Sequence, residues 1–255
     1  MTKEIEDWKA ALRDLGVTSL IRPENPHTPS NESPSVSPPK NKKVERNQSI
    51  PYQQPTDAVR NPPIEIIRAS SDLQKLLEAI RGCQKCILGT TRNQFVFGEG
   101  NPHADMMFVG EGPGRDEDLH GRPFVGRAGD LLEKMIEAIG LKRAEVYIAN
   151  IVKCRPPDNR IPTPEEAHSC LGYLEKQIQL IQPKVIVTLG ATPLRELLGI
   201  TEGITKIRGT LQTYQDIPVI PTFHPAYVLR MYTPEVRKAV WDDLKFAKSK
   251  IETGI

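Results

Sequence analysis

The spacing of apolar residues changes several times along the chain, and each change predicts an element. Near the start, Ile5, Trp8, Leu12 and Leu15 share one stripe with Gly16 behind them, which is the pattern of a short amphipathic helix and its C-cap. From Ser71 onward the pattern becomes regular. A helix is expected over 72–80, with Leu73, Leu76, Leu77 and Ile80 on one face, and an apolar strand over 105–110. Next come a helix over 128–139, a strand over 146–152 and a helix over 164–181. Thr163, Pro164 and Glu166 supply the N-cap, first-turn proline and capping box of that last helix. A buried strand is expected over 184–189 and a helix over 191–198, ended by Gly199. Residues 211–214 and 219–222 read as an antiparallel pair or a fourth strand, and 234–251 as a long C-terminal helix. Strands alternating with helices predict an α/β fold with a parallel sheet covered on both faces.

Between these two patterned regions the periodicity vanishes. Ten of the 23 prolines lie between Arg22 and Pro63, among Ser, Asn, Gln and Lys, with Tyr52 as the only aromatic. Such a stretch cannot bury enough apolar surface to offset the entropy of ordering. The expected organisation is therefore a short helix in 1–20, a disordered proline-rich linker in 21–67 and a catalytic domain in 68–255. The N-terminal stripe reads either as a docking peptide for a partner protein or as a weak helix that folds back on the body.

Composition narrows the function classes. The 255 residues are 38% hydrophobic and 26% charged, with a mean hydropathy of −0.41. No apolar run approaches the ~18 residues of a membrane helix, so no membrane partner is expected. The first residues, MTKEIEDWKAALRD, lack the basic start and apolar middle of a signal peptide, so a cytoplasmic protein is expected. A net charge of +2 leaves any nucleic-acid contact to a local patch.

In a parallel sheet, ligands sit at the carboxyl ends of the strands. That directs attention to 111–123, 150–157, 190–192 and 223–230. The first segment, GEGPGRDED, is a poor dinucleotide fingerprint, because Arg115 stands where the third glycine belongs and carboxylates crowd the phosphate position. Gly112 and Gly114 instead let backbone approach a flat ligand closely. Glu111, at the strand's end, reads as functional, whereas Asp116 and Asp118 read as solvated charges. Phe124, between Pro123 and two glycines, reads as either core or a stacking platform.

Four cysteines complete the candidate chemistry. Cys83 and Cys86 form C-x2-C, 67 residues separate them from Cys154, and Cys170 follows in C-x15-C. A cytosolic chain argues against disulfides, and the C-x2-C follows a helix rather than a thioredoxin-like strand. The set reads as a metal centre, for zinc or a 4Fe–4S cluster, with the wide second pair leaning toward the cluster.

Three motifs together, GEGPGRDEDLHGRPFVGRAGDLL, NIVKCRPPDNRIPTPEE and HPAYVLR, closely resemble the family 4 uracil-DNA glycosylases over residues 71–252. The resemblance implies a three-layer sandwich with a mostly parallel four-stranded sheet between helices. It implies a 4Fe–4S cluster on Cys83, Cys86, Cys154 and Cys170. It implies a monofunctional DNA repair enzyme that flips uracil out of DNA and hydrolyses its N-glycosidic bond, leaving an abasic site for base excision repair. By the same resemblance Asn150 reads the uracil edge, His224 stabilises charge on O2, Phe124 stacks on the base and the Gly112 backbone completes the contacts. Glu111 is the first choice for water positioning or cation stabilisation, and Glu117 the second. Tyr227, Val228 or Leu229 would fill the gap left by the flipped base, in a wedge loop. Arg230 and Arg155 would meet phosphate, with Arg160, Arg237 and Lys238 as further candidates. Lys153 and Arg155, flanking Cys154, would set a basic face. The expected partners are uracil-containing DNA and a replication or repair protein for the N-terminal helix, with the enzyme itself a monomer, nucleoid-associated through DNA. The competing reading is a relative that binds DNA without releasing a base.

Overall fold

The structure is a computed structural model and describes residues 60–253. The N-terminal helix expected in 1–20 and most of the proline-rich stretch lie outside the described residues. The described part opens with helix α1 (Ile64–Ala69), which buries Ile67, so the expected domain boundary at residue 68 falls inside this helix. Helix α2 (Leu73–Ile80) follows, its first turn capped by Asp72, whose side chain accepts from the Lys75 N–H at 2.8 Å. Leu76 and Ile80 are its buried stripe. A single turn, α3 (Leu88–Thr91), comes next.

The sheet has six strands rather than four. Its order is β1-β3-β2-β4-β6-β5, for β1 (Glu99–Gly100), β2 (Met106–Gly110), β3 (Tyr147–Asn150), β4 (Val185–Leu189), β5 (Gln212–Tyr214) and β6 (Ile217–Thr222). The four inner strands are parallel, as expected, and a short antiparallel strand closes each edge. Residues 211–222 thus serve both readings, because β5 and β6 form an antiparallel pair while β6 is also the fourth parallel strand. Every residue of β2, β3 and β4 is buried. Helices on both faces require such unbroken apolar runs.

The connecting helices are α4 (Arg115–His120), α5 (Arg127–Ala138), α6 (Pro164–Ile181), α7 (Ala191–Leu198), α8 (Ile204–Ile207), α9 (Pro225–Arg230) and α10 (Pro234–Thr253). In α6 the reciprocal capping box forms, with the Thr163 hydroxyl accepting from Glu166 N–H and the Glu166 carboxylate from Thr163 N–H. Two of these helices stand where loops were expected. The charged run RDEDLH forms α4, and the expected wedge loop is the short helix α9. Among the described residues no helix is long and apolar enough to cross a membrane.

Register aligns the strand ends. Gly110 pairs with Asn150, and Leu189 with Thr222. All four parallel strands therefore stop along one edge, which brings residues 111, 150, 190 and 223 to one crevice.

Candidate active site at the strand ends

Asn150 ends β3 and is buried, 2% exposed. Its backbone carbonyl accepts from Lys153 Nζ at 2.9 Å, but its side-chain Oδ1 is buried with no hydrogen-bond partner. A buried unpaired acceptor costs about 1–3 kcal/mol, which makes this amide a candidate recognition group. Opposite it, Gly110 has no side chain because none would fit. A Cβ there would overlap the Asn150 Oδ1 and come within 2.6 Å of Phe124 Cζ. The amide and the ring therefore close over the same backbone atom.

Phe124 is 7% exposed and lies 5.7 Å, centroid to centroid, from the His224 imidazole, with the planes tilted by 33°. The two readings of Phe124 meet here: it is buried like a core residue, yet it faces Asn150 and His224 at the crevice.

His224 follows β6 and caps α9. Its Nδ1 accepts from the Ala226 N–H at 3.1 Å, so in the neutral ring the proton sits on Nε2. Burial, reinforced by the charge of Arg230 and opposed by that of Glu117, pushes its pKa down to about 4. The imidazole is neutral near pH 7 and presents an Nε2–H donor. The strand end carrying it is anchored below, where Thr222 Oγ1 donates to Asp243 Oδ2 at 2.7 Å and Arg208 Nε to the same oxygen at 2.9 Å.

The two favoured carboxylates separate by what they hold. Glu111 accepts a 2.5 Å hydrogen bond from Thr192 Oγ1, in the first turn of α7 after β4. Glu117 accepts three backbone N–H groups, from Gly114 at 3.0 Å, Val125 at 2.9 Å and Gly126 at 3.0 Å. It ties the loop before α4 to the turn carrying Phe124. Of the two carboxylates read as solvated, Asp116 is exposed but Asp118 is buried and accepts from Asn93 and Gln94 N–H groups. Gly112 lies half-buried beside Val152, whose Cγ2 would be 2.7 Å from an added Cβ.

The residues expected to meet DNA divide as well. Val228 is 1% exposed and faces the core, so it cannot fill a gap in a duplex. Leu229 and Tyr227 are half-buried on α9, with the Tyr227 ring 4.8 Å from Phe223, and Arg230 is exposed. Arg155 Nε is bonded to Asn159 Oδ1 at 2.7 Å. Arg160 is committed to Glu166 through two bonds of 2.8 and 2.6 Å, Lys238 pairs with Asp242, and the Arg237 guanidinium stacks on Tyr232. Lys153 contributes no basic face. It is fully buried, with Nζ on the Asn150 carbonyl and, at 2.6 Å, on Gln177 Oε1.

The cysteines form a second locality behind this site. Cys83, Cys154 and Cys170 belong to the buried core and Cys86 packs against it. Burial raises Cys170 to about 12 and Cys154 to about 11, and each feels the charge of other members of the set. Donors already point at the sulfurs. Lys85 N–H lies 3.4 Å from Cys83 Sγ, Lys153 N–H 3.3 Å from Cys170 Sγ, Arg92 Nη1 3.0 Å from Cys154 Sγ and Tyr173 OH 3.0 Å from Cys83 Sγ. Among the described residues, no three or more His, Cys, Asp and Glu side chains form a group set to hold a metal ion. Three of the four sulfurs, those of Cys83, Cys154 and Cys170, nevertheless meet N–H, O–H or guanidinium donors of the kind that support bound thiolates.

Sequence reasoning gave no role to Thr192, Arg92 or Tyr173, and gave Lys153 a different one. Thr192 had a signal, since it falls in the segment after the third parallel strand. Arg92 and Tyr173 reach the cysteines only through tertiary contacts, whereas Lys153 reaches the Asn150 carbonyl from three residues away.

The family model described as the uracil DNA glycosylase superfamily matches residues 97–245. The chain is 49% identical over 177 residues to the type-4 uracil-DNA glycosylase of Thermotoga maritima, covering 69% of this chain and 92% of that one. It is 46% identical over 182 residues to that of Sulfurisphaera tokodaii, covering 68% and 82%. It is 43% identical over 181 residues to that of Archaeoglobus fulgidus, covering 68% and 90%. With its motifs, its parallel sheet and a pocket of amide, ring and imidazole at the strand ends, the chain belongs to the uracil-DNA glycosylase superfamily, among the type-4 enzymes.

Proposed function

We propose that the chain removes uracil from DNA, taking an everted uracil nucleotide between Phe124, Asn150 and His224 and hydrolysing its N-glycosidic bond. The carrying observation is the buried, unpaired Oδ1 of Asn150 beside Phe124 and within the same crevice as His224. Uracil offers N3–H as a donor and O4 as an acceptor, which match the amide's Oδ1 and Nδ2. Cytosine offers the reverse at both positions and would leave groups unpaired. As the C1′–N1 bond breaks, its electron pair passes to the ring and gathers on O2, to which the His224 Nε2–H would donate. The sugar becomes cationic at C1′. Glu111, steadied by Thr192, stabilises that charge and takes one proton from the attacking water, whose oxygen bonds to C1′. The Gly112 backbone completes the uracil contacts. Leu229 or Tyr227 occupies the vacated stack, while Arg230 and Arg155 meet phosphate. The first test is release of free uracil from a uracil-containing oligonucleotide by the purified, iron-loaded chain. Tight DNA binding without release would favour the non-catalytic reading.

The two carboxylates make a separate prediction. Glu111→Gln should slow excision by about 10²-fold with an unchanged melting temperature. Glu117→Ala should also slow excision, but with a fall in Tm on the order of 5 °C, because three backbone donors lose their acceptor. The reverse pattern would exchange their roles, with Glu117 at the sugar.

A 4Fe–4S cluster on Cys83, Cys86, Cys154 and Cys170 is the cofactor in this reading, supported by the sulfur-directed donors. When bound it would serve as a covalent cross-link between the 83–86 turn, the loop after β3 and α6, with no part in bond breaking. Cys154→Ser should abolish iron content and visible absorbance and lower Tm. A full iron complement in that variant would exclude Cys154 as a ligand. In the same reading the enzyme is a cytoplasmic, nucleoid-associated monomer. The Ile5, Trp8, Leu12 and Leu15 stripe would then dock on a replication or repair protein.

A further inference from the structure

Phe124 has a φ of +51°, a conformation costly for a residue with a Cβ and kept only where surrounding structure enforces it. Three contacts enforce it. Glu117 accepts from the two following N–H groups, Val125 and Gly126. Gly129 lacks the Cβ that would run into the Phe124 carbonyl. The third contact comes from a residue remote in sequence. Arg143, in the 3-10 turn Arg143–Glu145 leading to β3, donates Nη2 to the Pro123 carbonyl at 2.6 Å and Nη1 to the Phe124 carbonyl at 3.1 Å.

We propose that Arg143, anchored by Glu99, is a positioning residue that holds the Phe124 turn and so sets the ring over the base pocket. The inference rests on the reading of Phe124 as the ring that stacks on uracil. Two successive carbonyls gripped by one planar fork leave the peptide between them little freedom, and an ammonium could not reproduce that grip. The fork is itself fixed, because Arg143 Nε donates to Glu99 Oε1 at 3.1 Å. Glu99 also receives Arg122, at 2.6 and 2.8 Å, and hydrogen bonds from Arg122 and Arg143 keep its carboxyl below the usual range despite burial. It is charged at neutral pH. Edge strand β1, only two residues long, carries Glu99 to this place. The Arg143 side chain is 13% exposed and each of its three nitrogens already donates within the fold, so it is not a phosphate contact.

The test is a double-mutant cycle in the full-length, iron-loaded chain: wild type, Arg143→Gln, Phe124→Ala and the double variant. Single-turnover excision and Tm are measured on each. Arg143→Gln should cost about tenfold in excision rate in the wild-type background and less than twofold in the Phe124→Ala background, with the same small Tm change in both. Arg143→Lys should fail to restore the rate. Equal fold losses in both backgrounds would overturn the inference and leave the stacking role standing, since a merely structural arginine damages both alike. Full activity in Phe124→Ala would instead remove the stacking role itself. Should Arg143→Gln not fold, Glu99→Gln, which leaves the fork itself in place but weakens its anchor along with the Arg122 pair, is to show the same background dependence at smaller size. Its absence there would equally overturn the inference.

Discussion

Asn150→Ala is expected to lower uracil excision by ~10²–10³-fold while the fold, iron content and Tm are retained. The site spends stability to keep the Asn150 Oδ1 buried and unpaired, so truncation removes an uncompensated acceptor rather than a structural bond. The carbonyl that ties this residue to Lys153 belongs to the backbone and survives the change. The loss should appear in the chemical step, because the amide both recognises the ring and accompanies its growing charge. Asn150→Asp is the sharper companion. It keeps the shape but replaces the donor facing O4 with a second acceptor, and its loss should be of the same order. A loss below about tenfold in both variants, or a Tm fall that accounts for it, would remove Asn150 from the site.

His224→Ala is expected to cost about 10²-fold in kcat, and the wild-type profile should show no inflection near the ordinary histidine value of about 6.5. With the folded-state pKa lowered to about 4, the imidazole stays neutral from alkaline pH down through the mildly acid range. Protonation would put a hydrogen on Nδ1 and break the bond from Ala226 N–H, disturbing the first turn of α9 along with the donor. The sign for stability follows. Between about 6.5 and about 4 the unfolded chain binds the proton and the folded one does not. This group therefore stabilises the native state fully at neutral pH, and that contribution is lost as pH falls through that window. An inflection between 6 and 7 in log kcat that vanishes in His224→Asn would show a charged imidazole at work and overturn the assignment.

The inner strands were legible because a parallel sheet covered on both faces demands unbroken apolar runs, and 105–110, 146–152 and 184–189 stand out as such. The α6 helix was legible to its first residue because Thr163, Pro164 and Glu166 act locally. Other elements were hidden for physical reasons. Helix α4, RDEDLH, has a single apolar residue and so no period to read; its start is set by Glu117 reaching back to the Gly114 N–H. Of strand β6, IPVIPT, only 219–222 was legible as a strand, because its prolines argue against one. The ladder tolerates Pro221 because β5 stops opposite Val219. Edge strand β1, with two residues, is too short for any alternation to show.

At the site, the rule that ligands gather at the carboxyl ends of parallel strands located Glu111, Asn150 and His224 from sequence and pointed to the segment that holds Thr192, and the motif resemblance supplied the chemistry of the first three. Which residues are free to act was beyond sequence. Val228 turned inward, Arg160 was taken by Glu166, Lys153 was buried beneath Asn150, and Glu117 was consumed by three backbone donors. The amino-acid sequence by itself determined the α/β order, the inner strands, the caps and the set of side chains at the crevice, because those depend on neighbours a few residues away. Only the tertiary structure decided which of them face the pocket, what holds Phe124 in place and which charges are already paired. Those outcomes depend on contacts such as Arg143 with Phe124, between residues that no local period connects.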